Sequence, residues 1–308
     1  MSRKTLVTGG AGFIGSNLVR ELLDRGDDVR VLDNYSTGNR RNIAGLDVEI
    51  VEGELRSYER VHNAVRGVEM VFHLGALGSV PRSVQDPLTS SAVNIEGTLN
   101  VLLAARDEGI RRVIFTSSSS IYGVSNPLPL NETMPPDPIS PYGVAKLAAE
   151  RYCVSFSRVY DLETVVLRYF NVFGPRQDPT SQYAAVVPLF ITAIAAGEPV
   201  TIFGDGEQLR NFTFVANVVA ATAAAGAATE ANGRIMNVAA PVPASVNILA
   251  DTIGEILGKP VERRFAPERP GDIRDSWADV SEAKRLLGFE ANIGLEEGLR
   301  ATADFLLG

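Results

Sequence analysis

The apolar run Thr5-Leu6-Val7 stops at Gly9-Gly10-Ala11-Gly12, and Gly15 follows a few residues on. Glycine weakens strands and helices alike. Four glycines between a β-branched run and the helix-like stretch Asn17 to Arg25 therefore mark a turn whose backbone goes where a side chain would not fit. A second β-branched run, Val29-Arg30-Val31-Leu32, comes after that helix. Strand, glycine turn, helix and strand make a βαβ unit. The chain repeats the alternation at Met70-Val71-Phe72, Val93 to Gly109, Val113-Ile114-Phe115, Pro141 to Tyr160 and Thr164 to Arg168. The strand-like runs are almost wholly apolar, as strands buried on both faces should be. The predicted fold class is α/β, a doubly wound parallel sheet with helices on both faces.

After Phe170 the alternation loosens. Glycine and proline cluster from Gly174 to Pro179, around Gly197-Glu198-Pro199 and at Gly204-Asp205-Gly206, and helical patterns return at Val246 to Leu257, Ser281 to Leu287 and Leu295 to Leu307. This predicts a first domain over 1–170 and a smaller mixed α/β domain over 171–308, the chain crossing back to the first at about 211–231. A chain of 308 residues is long enough to bury such cores. Its net charge of -8 argues against nucleic-acid or anionic-membrane partners. Cys153, the single cysteine, can form no intramolecular disulfide, and apolar runs such as Ala220 to Ala228 are too short to span a bilayer. The N-terminus runs straight into the first strand, so a cytoplasmic location is expected. No membrane attachment and no metal site are expected either.

A glycine turn between a strand and a helix is the context a dinucleotide-binding loop requires. Gly10-x-Gly12-x-x-Gly15 fits the general Rossmann spacing, and Gly9-x-x-Gly12-x-x-Gly15 the spacing of short-chain dehydrogenases/reductases. The glycines bring backbone against a pyrophosphate, and the helix N-terminus supplies N–H groups and a positive dipole. Asp33 ends the second strand about twenty residues on, where a carboxylate accepts hydrogen bonds from the adenosine ribose and repels a 2′-phosphate. NAD is thereby favoured, although Arg40 and Arg41 lie near enough to keep NADP open.

Tyr142 and Lys146 stand at i and i+4, on one face of a helix. An ammonium beside a phenol, joined by a positive nicotinamide ring, predicts a lowered tyrosine pKa and a group able to take a hydroxyl proton. The run Ser117-Ser118-Ser119-Ser120 follows the strand Val113 to Phe115, at the sheet end where parallel-sheet sites lie. One of those hydroxyls can hold or relay the proton.

Taken together, these motifs resemble the extended short-chain dehydrogenase/reductase family over essentially the whole chain. Its nucleotide-sugar branch, the NAD-dependent UDP-sugar 4-epimerases, is the most similar. The resemblance rests on Arg168-Tyr-Phe-Asn171-Val-Phe-Gly-Pro-Arg-Gln177, on Phe203-Gly-Asp-Gly206 with Arg210, and on Arg269-Pro-Gly-Asp272 before Trp277-Ala-Asp279. It implies Ser118 as the catalytic hydroxyl, Tyr142 as the base and Lys146 as its partner. Cofactor contacts are implied for Gly9, Gly12, Phe13, Ile14 and Gly15, and for Asp33, Asn34, Ser36, Thr37 and Gly38. Further along the chain they are implied for Glu54 and Leu55 near adenine, for Leu74, Gly75, Ala76 and Asn94, and for Ser117, Tyr169 and Phe170 beside Tyr142 and Lys146. Substrate contacts are implied for Ser79, Ser118, Ser119, Tyr142, Ala185, Val186, Ile202, Asp272 and Ser276. The diphosphate falls to Asn171, Arg210 and Arg269, guanidinium groups suiting forked phosphate contacts, and Phe203 to the uracil. Glu54, Asn211 and Asn217 stand where the family commonly has aspartate, and Gly75 where it often has alanine.

Dehydratases of this family carry an Asp-Glu pair after the catalytic hydroxyl, and the xylose-forming decarboxylases a glutamate. Here the positions are Ser119 and Ser120. Oxidation and re-reduction is the chemistry left. Tyr142 would take the C4 hydroxyl proton as hydride leaves C4 for a tightly held NAD, and the 4-keto sugar would turn over and regain hydride on its other face. Ser276, before Trp277, leaves room for an acetamido group, and Leu77-Gly78-Ser79-Val80-Pro81-Arg82-Ser83 resembles the loop of epimerases acting on UDP-N-acetylhexosamines. UDP-GlcNAc/UDP-GalNAc and UDP-Glc/UDP-Gal are the expected substrates. A UDP-uronate, a UDP-pentose and a net NAD-dependent oxidation stay open, because a small pocket residue admits a large sugar without requiring it. A homodimer is implied, through Val93 to Gly109 and Pro141 to Tyr160.

Overall fold

The computed structural model describes residues 2–180, 185–268 and 273–308. Seven strands among them form one parallel sheet: β1 (Lys4–Thr8), β2 (Asp28–Asp33), β3 (Val48–Glu52), β4 (Met70–His73), β5 (Arg112–Ser118), β6 (Glu163–Tyr169) and β7 (Ile235–Val238). Their order is β7-β6-β5-β4-β1-β2-β3. The expected doubly wound α/β fold is what the chain adopts. The order reverses between β1 and β4, and a crevice opens at their carboxyl ends.

Successive strand residues point to opposite faces, so each strand feeds two cores. Leu6, Val71, Val113 and Val166 enter one, and Val7, Phe72, Ile114 and Val165 the other. The sheet is flanked by helices α1 (Phe13–Asp24), α2 (Tyr58–Val65), α3 (Gly97–Asp107), α4 (Pro141–Val159) and α5 (Val215–Ala225). The first core takes Val61 of α2, Leu102 of α3 and Phe156 of α4; the second takes Leu18 and Leu22 of α1 and Val218 of α5. Each such side chain, fully buried, contributes roughly 1.5–3 kcal/mol.

Two elements depart from their sequence patterns. Strand β3 mixes acidic residues with apolar ones because it is the sheet edge, where Glu49 and Ile50 are exposed. The helix expected from Val93 to Gly109 opens on a π turn, Ala92–Glu96, which runs without interruption into the α-helix Gly97–Asp107.

Beyond β6 the chain makes short pairs: Val172–Phe173 with Thr213–Phe214, Val200–Phe203 with Arg263–Ala266, and Leu209–Arg210 with Ala244–Ser245. Helices Val186–Ala196, Val246–Leu257 and Leu295–Leu307 pack on one another. Helix α5 returns against α1, and β7 adds to the sheet edge beside β6.

The two asparagines have structural work that a carboxylate could do only by half. Asn211 donates to Ala240 O (2.7 Å) and accepts from Ala278 N (2.8 Å). Asn217 donates to Ile293 O (2.8 Å) and accepts from Ile293 N (3.2 Å). Each needs an N–H as well as an oxygen. Among the described residues no helix is long and apolar enough to cross a membrane.

Candidate active site

The crevice is a cavity of about 380 Å3 over the ends of β1, β2 and β4. Its floor is the glycine turn. Gly9 adopts φ +70° and donates to Leu32 O (2.8 Å), and Gly12 donates to Gly9 O (3.1 Å). A Cβ at Gly15 would lie 2.1 Å from Gly9 O, so only glycine lets α1 start so close to the turn. No side chain caps α1 at Gly12. Its first N–H groups are left to a ligand, and the helix dipole favours an anion there.

Asp33 is buried on the wall of the cavity, and its carboxylate accepts from Ala11 N (2.9 Å) and Tyr35 N (2.8 Å). Carboxylate oxygens have lone pairs to spare beyond those two bonds. Arg40 is drawn away from the cavity, paired with Glu52 and lying 4.1 Å over the Tyr35 ring. Arg41 is exposed and does not line the cavity.

Most of the expected cofactor residues line this one space. Gly9, Gly12, Phe13, Ile14 and Gly15 do so from below, and Asp33, Asn34, Ser36 and Thr37 follow from the end of β2. Glu54, Leu55, Leu74, Gly75 and Ala76 complete the opposite side, with the Glu54 carboxylate bonded to Arg56. Gly38 packs behind, where an added Cβ would be 3.0 Å from the Ala11 carbonyl carbon.

Other expected residues lie off the wall. The Asn94 amide is spent on Leu77, accepting from its N (2.8 Å) and donating to its O (3.2 Å). The Ser117 hydroxyl donates to buried Glu150 (3.1 Å). Tyr169 hydrogen-bonds Thr222 (2.6 Å), and Phe170 packs with Tyr122 in a separate core.

Helix α4 begins at Pro141 with Ser140 capping Gly143 N (3.1 Å). This start sets Tyr142 beside the end of β5, near enough to Ser118 for that hydroxyl to favour the phenolate. The strand runs through Ser118, so the serines expected just after it are partly its last residues. The Ser118 hydroxyl donates to Ser120 Oγ (3.2 Å) and accepts from Ser120 N (3.2 Å), while Ser119 sits in the following turn and accepts from Tyr122 N (3.1 Å).

Lys146 is buried, and its ammonium is bonded to the backbone of β5. Its Nζ donates to Thr116 O (2.8 Å) and lies 4.9 Å from the Phe115 ring, and burial lowers the ammonium to about 8. Burial pushes the Tyr142 phenol up, and the side chain that pulls it back is Ser118. The i, i+4 spacing put both groups on one face; the lysine stem then carried its charge to a strand carbonyl.

The expected sugar-side residues are more dispersed. Ser79 begins the short helix Val80–Gln85, accepts from Arg82 N (3.2 Å), and lines the cavity with Arg82. Arg210 donates to Leu209 O (2.8 Å) and Arg274 O (2.5 Å) and also reaches Ile273 O; its strand bridges Ser276, which is buried. Asn171 is exposed at φ +34°, Ala185 precedes helix Val186–Ala196, Val186 is partly buried, Ile202 is in the core, and Phe203 is half-buried at its strand end. None of these lines the cavity. Arg269 and Asp272 lie outside the described residues.

A model of the NAD dependent epimerase/dehydratase family matches residues 5–239. The chain belongs to that family. The UDP-glucose 4-epimerase of Mycolicibacterium smegmatis is 39% identical over 312 aligned residues, with 98% of each chain covered. A UDP-N-acetylglucosamine 4-epimerase from Methanobrevibacter ruminantium, solved in complex with UDP-N-acetylmuramic acid, is 38% identical with a TM-score of 0.95, covering 99% of this chain and 98% of its own. A UDP-N-acetyl-alpha-D-glucosaminuronate decarboxylase from Bacillus cytotoxicus is 32% identical over 98% of this chain and 97% of its own length.

Membership of the NAD dependent epimerase/dehydratase family makes NAD the cofactor to test against the cavity. The residues fit it: an uncapped helix start, a glycine cradle that any Cβ at Gly15 would fill, and a carboxylate at the end of β2. Several side chains with a part here escaped the sequence reading, among them Thr8, His73, Arg82 and Glu150. Glu150 had a signal, being four residues past Lys146 on the same face of α4.

Proposed function

We propose that this chain is a UDP-sugar 4-epimerase that works through a 4-keto intermediate, with a UDP-N-acetylhexosamine as preferred substrate and UDP-Glc/UDP-Gal also accepted. The observation that carries the reading is the buried Tyr142 phenol beside Ser118 at the end of β5, where that hydroxyl favours the phenolate, in a serine run that contains no carboxylate. A phenol coupled to a hydroxyl can remove and return one proton; elimination or decarboxylation calls for additional acid and base groups.

Bound NAD supplies hydride acceptance and return at a single carbon. Tyr142 takes the C4 hydroxyl proton and gives it back, and Ser118 orients that hydroxyl. Lys146, tied to Thr116 O, keeps a positive charge beneath the site. Asn171, Arg210 and Arg269 hold the diphosphate, Phe203 packs on the uracil, and Ser79 and Ser276 border the sugar. The small Ser276 side chain and the 38% identical UDP-N-acetylglucosamine 4-epimerase support the acetamido sugar. Because the reaction returns its hydride, NAD is held from turnover to turnover. Two copies pair through α3 and α4, and Val144, Tyr152 and Val159 of α4 are exposed apolar residues along that helix.

The test is product analysis after separate incubation with UDP-GlcNAc, UDP-Glc, UDP-glucuronate and UDP-xylose, without added cofactor. Interconversion of UDP-GlcNAc and UDP-GalNAc with no net NADH is expected. Conversion of UDP-glucuronate or UDP-xylose alone would replace the preferred substrate, and turnover that requires added NAD and accumulates NADH with it would replace the reaction.

A further inference from the structure

At the end of β4, next to the cavity residues Leu74 and Gly75, lies His73, a buried imidazole to which the reaction assigns no role. Its Nδ1 is 2.7 Å from Thr8 Oγ1 and its Nε2 is 3.0 Å from Thr98 Oγ1. The neighbouring bonds fix which nitrogen carries the proton. Thr98 spends its only hydroxyl proton on Asn94 O (2.7 Å), so its oxygen accepts from His73 Nε2–H. Gly75 N–H donates to Thr8 Oγ1 (3.0 Å), and the Thr8 hydroxyl proton is free to go to His73 Nδ1. The bonds therefore run in two directions from one neutral ring, to Gly75 through Thr8 and to Asn94 through Thr98. Asn94 in turn clamps both backbone groups of Leu77.

A second proton on the ring would leave the Thr8 hydroxyl proton without its acceptor. It would also add a like charge near Lys146, whose Nζ and the His73 ring share Phe115 as a neighbour, at 4.9 Å and 5.6 Å. Burial, with the Lys146 ammonium behind it, pushes the imidazole down to about 3.

We propose that His73 is a positioning residue for the cofactor: as the neutral Nε2–H tautomer it ties the end of β1 to Gly75 and Leu77, and so fixes the wall against which NAD lies. The proposal rests on reading the cavity as the NAD site.

The sequence holds two histidines, His62 and His73, so 15N spectra of the full-length protein and of its His62→Gln variant isolate the buried ring. At pH 7 the expected signature is a bare Nδ1 and a protonated Nε2. An Nδ1–H ring or an imidazolium overturns the proposal. Thr8→Val removes the relay hydroxyl at nearly constant volume and leaves Gly75 N–H unpaired. It should raise the Kd for NAD about five- to ten-fold, the effect of one lost buried hydrogen bond, and Thr8→Ser should restore it. A Thr8→Val protein that folds and binds NAD as tightly as wild type overturns the positioning role alone. Wild-type protein that binds no NAD overturns the cofactor reading, and this one with it.

Discussion

At the scale of single residues, the proposed proton transfer turns on a phenol that burial makes a weaker acid. An exposed tyrosine loses its proton near pH ~10, and at Tyr142 burial moves that point up while the Ser118 hydroxyl moves it down. A hydrogen bond donated to phenolate favours the charged form, so Ser118→Ala should raise the tyrosine pKa further. The rising limb of kcat/KM against pH should then shift to higher pH in the variant, with a lower plateau. A limb that stays in place or moves to lower pH would separate Ser118 from the base. Tyr142, Lys146 and Ser118 were legible as a group because helical spacing and a strand end locate them. The bond from Lys146 to Thr116 O was not legible, because nothing in a spacing says whether a long stem reaches its helical neighbour or the adjoining strand. The asparagines were opaque for a similar reason: the backbone groups that Asn211 and Asn217 satisfy lie 29 to 76 residues away along the chain.

At the scale of elements, the glycine turn was the most readable part of the molecule, because its constraint is steric and local. Gly15 has no room for even one methyl group: an added Cβ would lie 2.1 Å from Gly9 O and 2.9 Å from Gly10 Cα, both backbone. Backbone cannot rotate out of the way as a side-chain tip can. Gly15→Ala should push α1 off the turn, costing about 1–3 kcal/mol in thermal or urea unfolding, and should strip bound NAD during gel filtration. Gly78 borders the same cavity but has nothing within 4 Å of an added Cβ. Gly78→Ala should therefore stay within about 0.5 kcal/mol of wild type. Equal stability and NAD retention in the two variants would mean that the turn does not set the helix start. The π turn at Ala92–Glu96 was hidden within an ordinary helical pattern, since one extra residue in a turn leaves the local composition unchanged.

At the scale of the whole molecule, the doubly wound parallel sheet followed from repeated βαβ units, whereas the ties between distant segments did not. The largest tie is polar and buried. Arg168 forks onto Glu150 (2.6 Å and 3.0 Å) and donates to Tyr122 Oη (2.7 Å), whose hydroxyl donates to Asn237 Oδ1 (2.7 Å). Asn237 then donates to Leu130 O (3.0 Å) and Asp279 O (3.1 Å), so one network joins α4, β6 and β7 to the segment ahead of the last helices. Both charges are out of water, with Glu150 at 0% and Arg168 at 1% side-chain exposure. Desolvation offsets much of their attraction, and the pair is worth less than the cost of breaking half of it. Arg168→Met, which strands the carboxylate, should lower stability by about 3–5 kcal/mol. Replacing both partners, Glu150→Met with Arg168→Met, should recover most of that loss, because no buried charge is left alone. Urea midpoints for the two single variants and the double variant measure the coupling directly. A double variant as unstable as the sum of the singles would mean that the two charges act independently, and that the segments they join are held by apolar packing.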